Sequence, residues 1–397
     1  ATYVIERIVT EAAKEIGIDR AEIRKINLID PEAMPHSTVT GWTYDTGEYV
    51  KALEKCQDLS DWNGFDERKK VSESKGLKRG RGIVYYVDNT GIFNERMEIR
   101  FDPSGTITIV SGVLSHGQGH ETSFAQMVSE WLNVPFEAIR LTQADTDEVP
   151  IGRGTYASRS MMVGGSALQA AADDVILKGK KFAAHFMEAD SSDIEFKEGK
   201  FTVAGTDKNM TLTEVAKMSF MPVHLPSEEL GIGLQGVGAF AAEVPSFPNG
   251  CHISEVEIDP DTGTVKIDKY SVVDDIGTVI NPLLAQAQIH GGVVQGVGQA
   301  LLEDLCYDRN SGQLLAGSFM DYGMPRADVM PDIKVEFSPV PSLSNPLGAK
   351  GVGEGGTVAS TPSIVNAILD ALHSLGVKYI DTPVTPYQVW KSINLAK

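Results

Sequence analysis

The 397-residue sequence predicts an α+β fold. Three observations carry that expectation. β-rich runs come in clusters and do not alternate singly with helices. Two clusters contain a hairpin turn signal, Asp102-Pro103-Ser104-Gly105 and Pro260-Asp261-Thr262-Gly263. Long helical patterns follow the clusters, which a doubly wound βαβ series would not give.

The elements follow in order. Val4, Ile5, Ile8, Val9, Ala12, Ala13 and Ile16 recur at helical spacing, and the run stops near Gly17. Asp19 is placed to cap a short second helix. A third helix follows Thr46. Residues from about Ser60 to Gly82 read as a linker. The basic run Arg68–Arg81 reads there as solvated charge, or as a contact for an acidic partner subunit. Strands are expected over Gly82–Val87, Arg96–Phe101 and Thr106–Val113. A glycine-rich turn then enters a helix with Phe124, Met127, Val128 and Trp131. A strand through Ile139 and a long helix over Ser160–Met187 come next. Strands near Gly236, His252 and Val265 open the second half, followed by a turn and a helix within 280–305. The last helix is expected to start with Thr361 as N-cap and Pro362 at its first position, and to end at Gly376. His116-Gly117 and His290-Gly291, each read as preceding a helix, hint at a diverged internal repeat.

Net charge is -19 and the sequence pI about 4.8, which argues against a nucleic-acid surface or an anionic membrane face. No apolar run is long enough for a transmembrane helix, and no basic-then-apolar leader opens the chain. Because the first residue is Ala1 and not Met, a processed product or fragment is expected. Cys56, Cys251 and Cys306 lie far apart, without a CxxC pair. Iron–sulfur or structural zinc ligation by this chain is therefore not expected, and a reducing cytoplasm is.

Three glycine-rich stretches read as turns near helices: 116–120, 290–299 and 348–356. Helix N-termini present free N–H groups and partial positive charge, so such turns bind anions. Several in one chain point to one extended anionic ligand. Thr155, Tyr156, Ser158, Arg159 and Ser160 form a fourth donor-rich turn, with Arg159 suited to a phosphate. The alternative is a helix cap plus a surface arginine. There is no P-loop, no GxGxxG spacing, no HExxH and no nucleophile elbow. His116 and His120 read either as ligand-facing or as polar turn residues. Glu354 stands among glycines; beside a bulky ligand, partial burial would suit it to act as a base, with Lys350 pulling the other way. Otherwise it caps a helix or faces water.

"GQGHETSFAQ", "GTYASRS", "VVDDIGTVINP", "QIHGGVVQGVGQALLE" and "GAKGVGEGG" together resemble the molybdenum-binding subunit of the xanthine oxidase family. The likeness is greatest to large subunits of aerobic carbon-monoxide-dehydrogenase-type enzymes, in the aldehyde-oxidoreductase-like group. It runs from Ala1 to about Trp390. The resemblance implies two α+β lobes with mixed sheets: N-terminal helices and linker over 1–75, a first lobe over 76–225, and a second over 226–397. It implies molybdopterin cytosine dinucleotide carrying molybdenum, held by Gly117, Gln118, Gly119, His120, Thr155, Tyr156, Ser158, Arg159, Ser160, Asp275, Gln288, Lys350, Gly351, Val352 and Gly353. No metal ligand from this chain is implied. Glu354 matches the family's active-site base, which activates a water-derived oxygen towards a small-molecule substrate. Electrons would leave through Fe-S and FAD partner subunits, in a hetero-oligomer of dimerised protomers.

A full-length subunit of that family is about twice as long. The chain is thus expected to be the C-terminal half, with the N-terminal half of the same subunit as its partner and without activity alone. Carbon monoxide, an aldehyde or an N-heterocycle all fit as substrate. A catalytically incomplete binding or assembly module of the same family is the first alternative. A nicotinamide-dependent dehydrogenase is the second.

Overall fold

Helix α1 (Thr2–Ile16) stops at Gly17, which takes the left-handed conformation at φ 69°. The Asp19 carboxylate accepts from the Ala21 and Glu22 N–H groups and starts α2 (Arg20–Asn27). The short strands β1 (His36–Ser37) and β2 (Thr43–Tyr44) pair, and α3 (Tyr49–Ser60), α4 (Phe65–Ser74) and β3 (Lys78–Val87) follow. These positions come from a computed structural model that describes residues 1–221, 225 and 227–396. Helix α4 lies where a linker was expected, and the basic run is solvated only in part, with Lys70 and Lys75 exposed. Arg68 and Arg79 both pair with Glu255, and Arg79 also reaches Glu257 and Asp268. The acids that match these cations stand almost two hundred residues away, so the run looked unpartnered in the sequence.

Strands β4 (Asn94–Phe101) and β5 (Ile107–Ser111) form the expected hairpin. Helix α5 (His120–Leu132), β6 (Ile139–Gln143), a π-helical turn over Ser160–Gly165 and α6 (Ser166–Met187) come next. Then β7 (Ile194–Lys197), β8 (Lys200–Val203) and β9 (Asn209–Thr211) make a small antiparallel sheet. Thr211 and Glu214 close a capping box on α7 (Leu212–Met218), and α8 (Ser227–Leu230) and β10 (Gln235–Ala241) follow. Strands β11 (Asn249–Ile258) and β12 (Val265–Asp275) form the second hairpin. Helix α9 (Pro282–Leu301), capped by the Asn281 side chain, leads to β13 (Ile333–Phe337), α10 (Gly355–Leu372) and α11 (Pro386–Ala396).

Two corrections fall in this half. Helix α10 starts at Gly355, six residues before the expected cap Thr361, and carries Pro362 inside it. The stretch 290–299 is not a turn: His290 and its glycines lie within α9. In both places glycine's low helix propensity is overridden by packing.

The chain divides into two compact units, one of residues 1–89, 247–342 and 350 onward, the other of 90–246 and 343–349. The first contains a mixed sheet ordered β13-β12-β11-β3, the second a mixed sheet ordered β10-β4-β5-β6. In each, only one edge pair is parallel, β12 with β13 and β5 with β6. The units share one plan. A hairpin is followed by a helix, a parallel strand and a long helix laid across the hairpin's first strand and an edge strand. That long helix is α10 in the first unit and α6 in the second. Both edge strands carry a glycine pair. A Cβ on Gly82 of β3 would lie 2.0 Å from the Ser363 carbonyl oxygen, and one on Gly238 of β10 2.2 Å from that of Ala167. Only glycine lets strand and helix approach this closely.

The edge strands explain why the units are not consecutive, as the division into 1–75, 76–225 and 226–397 expected. Strand β3 precedes β4 in the chain but pairs with β11, and β10 precedes β11 but pairs with β4. Residue 226 itself lies outside the described residues. In the first unit the sheet is covered on both faces. Ile83, Tyr85, Cys251 and Ile253 meet α3, while Val256, Val272, Ile364 and Ile368 pack with α9 and α10.

Candidate functional site

Loops leaving the carboxyl ends of the parallel strands enter helix N-termini in each unit. Open α/β sheets bind ligands at this end. In the second unit the turn after β5 leads into α5, and the segment after β6 leads into the π-helical turn. In the first unit the turn after β12 leads into α9, and residues 350–354 lead into α10. The candidate residues other than Gln288 fall in or next to these four segments, and Gln288 lies half-buried on α9.

In the second unit, Gly117 and Gly119 both have positive φ, 119° and 78°, and Gly119 is the N-cap of α5. The Gln118 amide braces its own turn, accepting from the His116 N–H at 2.7 Å and donating to the Leu114 carbonyl at 3.0 Å. The Thr155 hydroxyl donates to the same Leu114 carbonyl at 2.6 Å and lies 2.8 Å from the Ser160 hydroxyl. The two loops are thus fastened together at Leu114. His120 is buried and stacks on Phe124 at 4.9 Å, with no hydrogen-bond partner for Nδ1 among the described residues. Burial, with the nearby His116, lowers its pKa to about 4, so it is neutral at pH 7. Ser158 has φ 52°, a conformation uncommon outside glycine, and Tyr156 is exposed.

Arg159 corrects an expectation. It is fully buried, pairs with Glu95 at 3.0 Å and donates to the carbonyls of Asn94 and Gly154. Its charge is matched inside the unit and holds the loop; it is not presented to a phosphate.

In the first unit Asp275 ends β12 and is buried. One carboxylate oxygen accepts from the Gly277 and Val340 N–H groups, both at 2.9 Å. The other accepts from Asn249 at 3.1 Å and from the Lys350 ammonium at 2.5 Å. Lys350 is buried as well, donates to the Thr46 carbonyl, and binds the Ile276 carbonyl through its backbone N–H. This clasp fixes Lys350–Gly353 against the turn after β12. Gly351 is buried, Val352 packs on the hydrophobic core and Gly353 is exposed.

Glu354 occupies the N-cap position of α10. Its carbonyl accepts the first helical N–H groups, but its side chain makes no capping hydrogen bond. It is half-buried. The glycines after it serve packing. A Cβ on Gly355 would meet the Tyr86 hydroxyl at 2.2 Å, and one on Gly356 the Ile289 carbonyl of α9 at 2.6 Å. Beneath this helix end lies a buried group that sequence reasoning missed. His252 Nε2 is 3.4 Å from Asp274, and His252 Nδ1 is 3.0 Å from the Tyr270 hydroxyl. The signal was present: polar His252, Ser254 and Asp274 interrupt otherwise apolar buried strands.

In each unit helix N-termini stand at the carboxyl end of a parallel strand pair, and in the first unit Glu354 stands at one of them. The molybdopterin cofactor-binding domain family matches residues 55–331, and the chain belongs to that family, in its xanthine oxidase type. The carbon monoxide dehydrogenase large chain of Hydrogenophaga pseudoflava is 35% identical over 409 residues, covering 99% of this chain and 50% of that one. The nicotine 6-hydroxylase large subunit of Paenarthrobacter nicotinovorans is 31% identical, covering 98% of this chain and 49% of that one. The structure of reconstituted CO dehydrogenase from Oligotropha carboxidovorans superposes with a TM-score of 0.89 at 32% identity, covering 100% of this chain and 51% of that one. The chain spans about half the length of these relatives. No helix among the described residues is long and apolar enough to cross a membrane.

Proposed function

We propose that this chain is the molybdopterin-binding C-terminal part of a molybdenum hydroxylase or dehydrogenase, with Glu354 as its base. The observation that carries the reading is the state of Glu354. It stands at the N-cap position of a helix at the carboxyl end of a parallel strand pair, and its carboxylate is not used for the cap.

The loops fit a long anionic cofactor through backbone donors, not through cations. Arg159 and Lys350 are already matched by Glu95 and Asp275. The N–H groups at the starts of α5 and α10, the glycines Gly117, Gly119, Gly351 and Gly353, and the hydroxyls of Thr155, Ser158 and Ser160 would hold it. Tyr156 and Gln288 would flank it, and Gln118 and His120 would shape the turn beside it. When bound, the cofactor supplies a two-electron acceptor and a Lewis-acidic metal. The chain's own part is to place Glu354 where it takes a proton.

Relatives that act on carbon monoxide and nicotine support a small substrate: carbon monoxide, an aldehyde or an N-heterocycle. The reading further assigns the cytosine dinucleotide form of the cofactor. It assigns Fe-S and FAD partner subunits, an N-terminal half of the same subunit and a cytoplasmic hetero-oligomer of dimerised protomers. Cys56, Cys251 and Cys306 are all unpaired, which suits a reducing compartment. A nicotinamide dehydrogenase is disfavoured because both four-stranded sheets are mostly antiparallel.

The test is elemental analysis and turnover of the intact native complex. Molybdenum is expected in the wild type and in E354Q alike, with turnover in E354Q lower by about 10²–10⁴-fold, the usual contribution of a positioned base. Unchanged turnover in E354Q would favour the catalytically incomplete module, and absence of molybdenum would remove the reading.

A further inference from the structure

Three strands of the first unit place one row of residues beneath the start of α10. Tyr86 of β3 stands opposite Gly250 of β11, and Gly250 opposite Asp274 of β12. All three are buried. The middle residue has no side chain, and the Asp274 carboxylate fills its place: a Cβ on Gly250 would lie 1.8 Å from Asp274 Oδ1. On the helix side, a Cβ on Gly355 would lie 2.2 Å from the Tyr86 hydroxyl oxygen and 3.5 Å from Asp274 Oδ2. Hydroxyl and carboxylate thus close on one point, the first residue of α10, which follows Glu354 directly. One rung along the sheet, His252 Nε2 stands 3.4 Å from Asp274 Oδ1, and the His252 ring meets that of Tyr86 edge-on at 5.8 Å.

Buried polar groups without partners are costly, and this row keeps several. Neither Asp274 oxygen nor His252 Nε2 makes a hydrogen bond among the described residues. Apolar side chains would fill the same space without that cost. The cost is kept at one place, under the residue next to Glu354, where the partial positive charge of a helix start faces the buried carboxylate.

We propose that Tyr86 is a positioning residue for Glu354, its hydroxyl being the stop against which the first residue of α10 seats, with Asp274 and His252 behind it. This rests on the reading of Glu354 as the base. The path is short and rigid. Gly355 cannot move closer to the sheet than the hydroxyl allows. The Thr357 and Val358 N–H groups donate to the Glu354 carbonyl at 3.1 and 3.0 Å, which ties Glu354 to the same turn. Gly356, packed on the Ile289 carbonyl of α9, fixes that turn from the other side.

Variants of the assembled complex test this, with kcat, KM and molybdenum content measured together. Y86F keeps the ring and adds no atom. It should lower kcat by about tenfold or more at unchanged KM and molybdenum content, since misplacement by about 1 Å costs up to about 100-fold. G355A should lower kcat further. Y86F/G355A should regain about tenfold over G355A, because the new methyl group takes the place of the hydroxyl. In an E354Q background, Y86F should cost less than about threefold, since the residue it positions is already gone. An unchanged kcat in Y86F, a double variant no better than G355A, or an equal loss with and without Glu354 would each overturn the proposal. If E354Q itself leaves turnover unchanged, it is the assignment of the base that fails. The unfolding free energies then still report on the seat: Y86F/G355A should be more stable than G355A, and the reverse order would show that no such stop exists.

Discussion

Lys350 and Asp275 face one another at 2.5 Å, both almost wholly removed from solvent. A buried pair gives little net stability compared with apolar residues, but removing one partner strands the other charge. Lys350→Met should therefore destabilise by about 3–5 kcal/mol, measured as unfolding free energy, and loosen the loop before Glu354. Had the lysine faced a ligand, the same change would leave the apo protein's stability nearly untouched. His120 gives a pH-dependent counterpart. Its folded pKa, about 4, lies below the unfolded value of about 6.5, so the unfolded chain binds the proton more tightly. The stabilisation is complete above about pH 6.5 and is lost as pH falls towards 4, by about 3 kcal/mol. His120→Gln should flatten the stability profile across that window in a denaturant titration series. Neither role could be read from residue type. A lysine and an arginine beside glycines look like anion ligands until the acids that match them, Asp275 and Glu95, are placed next to them.

Helices α9 and α10 show what glycine density meant at the scale of elements. Three glycine-rich stretches were expected to be turns, but only the one before α5 and the start of the one before α10 are turns. In 290–299 the glycines lie inside α9. Gly292 meets the Gly356 Cα, and Gly296 leaves room for the Ser360 hydroxyl. Gly291, one residue away, has open space where a Cβ would stand. The pair is diagnostic. Gly356→Ala should cost about 1–3 kcal/mol through overpacking, because the Ile289 carbonyl lies 2.6 Å from the new Cβ. Gly291→Ala should instead stabilise by about 0.5–1 kcal/mol, through helix propensity alone. Thermal unfolding of the two variants separates packing glycines from permissive ones. The strands, both hairpins and most helices were legible because their periodicity and turn residues are local. The start of α10 was not, because it is set by contact with a helix more than fifty residues earlier in the chain. Reading Thr361-Pro362 as a start was sound local chemistry overridden by tertiary packing.

At the scale of the whole molecule, chain order and unit membership disagree at two strands. The sequence carried a trace of this in Gly80-x-Gly82 and Gly236-x-Gly238, the paired glycines of the two edge strands, but pairing partners are not a local property. The disagreement fixes where the chain can be cut. A fragment spanning 76–225 would hold β3 without its sheet and would lack β10 (Gln235–Ala241), leaving the edge of β4 unpaired and α6 uncovered beside it. A fragment spanning 90–246 holds all four strands of its sheet in the order β10-β4-β5-β6, together with α5 and α6. Unpaired sheet edges invite aggregation, and an edge strand closes the hydrogen-bonding ladder that holds the hairpin. The fragment 90–246 is therefore expected to unfold cooperatively in denaturant, with coincident far- and near-ultraviolet circular dichroism transitions. The fragment 76–225 should aggregate or lose its near-ultraviolet signal. Equal behaviour of the two would mean that β10 is dispensable to its sheet, and that the glycine seam against α6 contributes little to its stability.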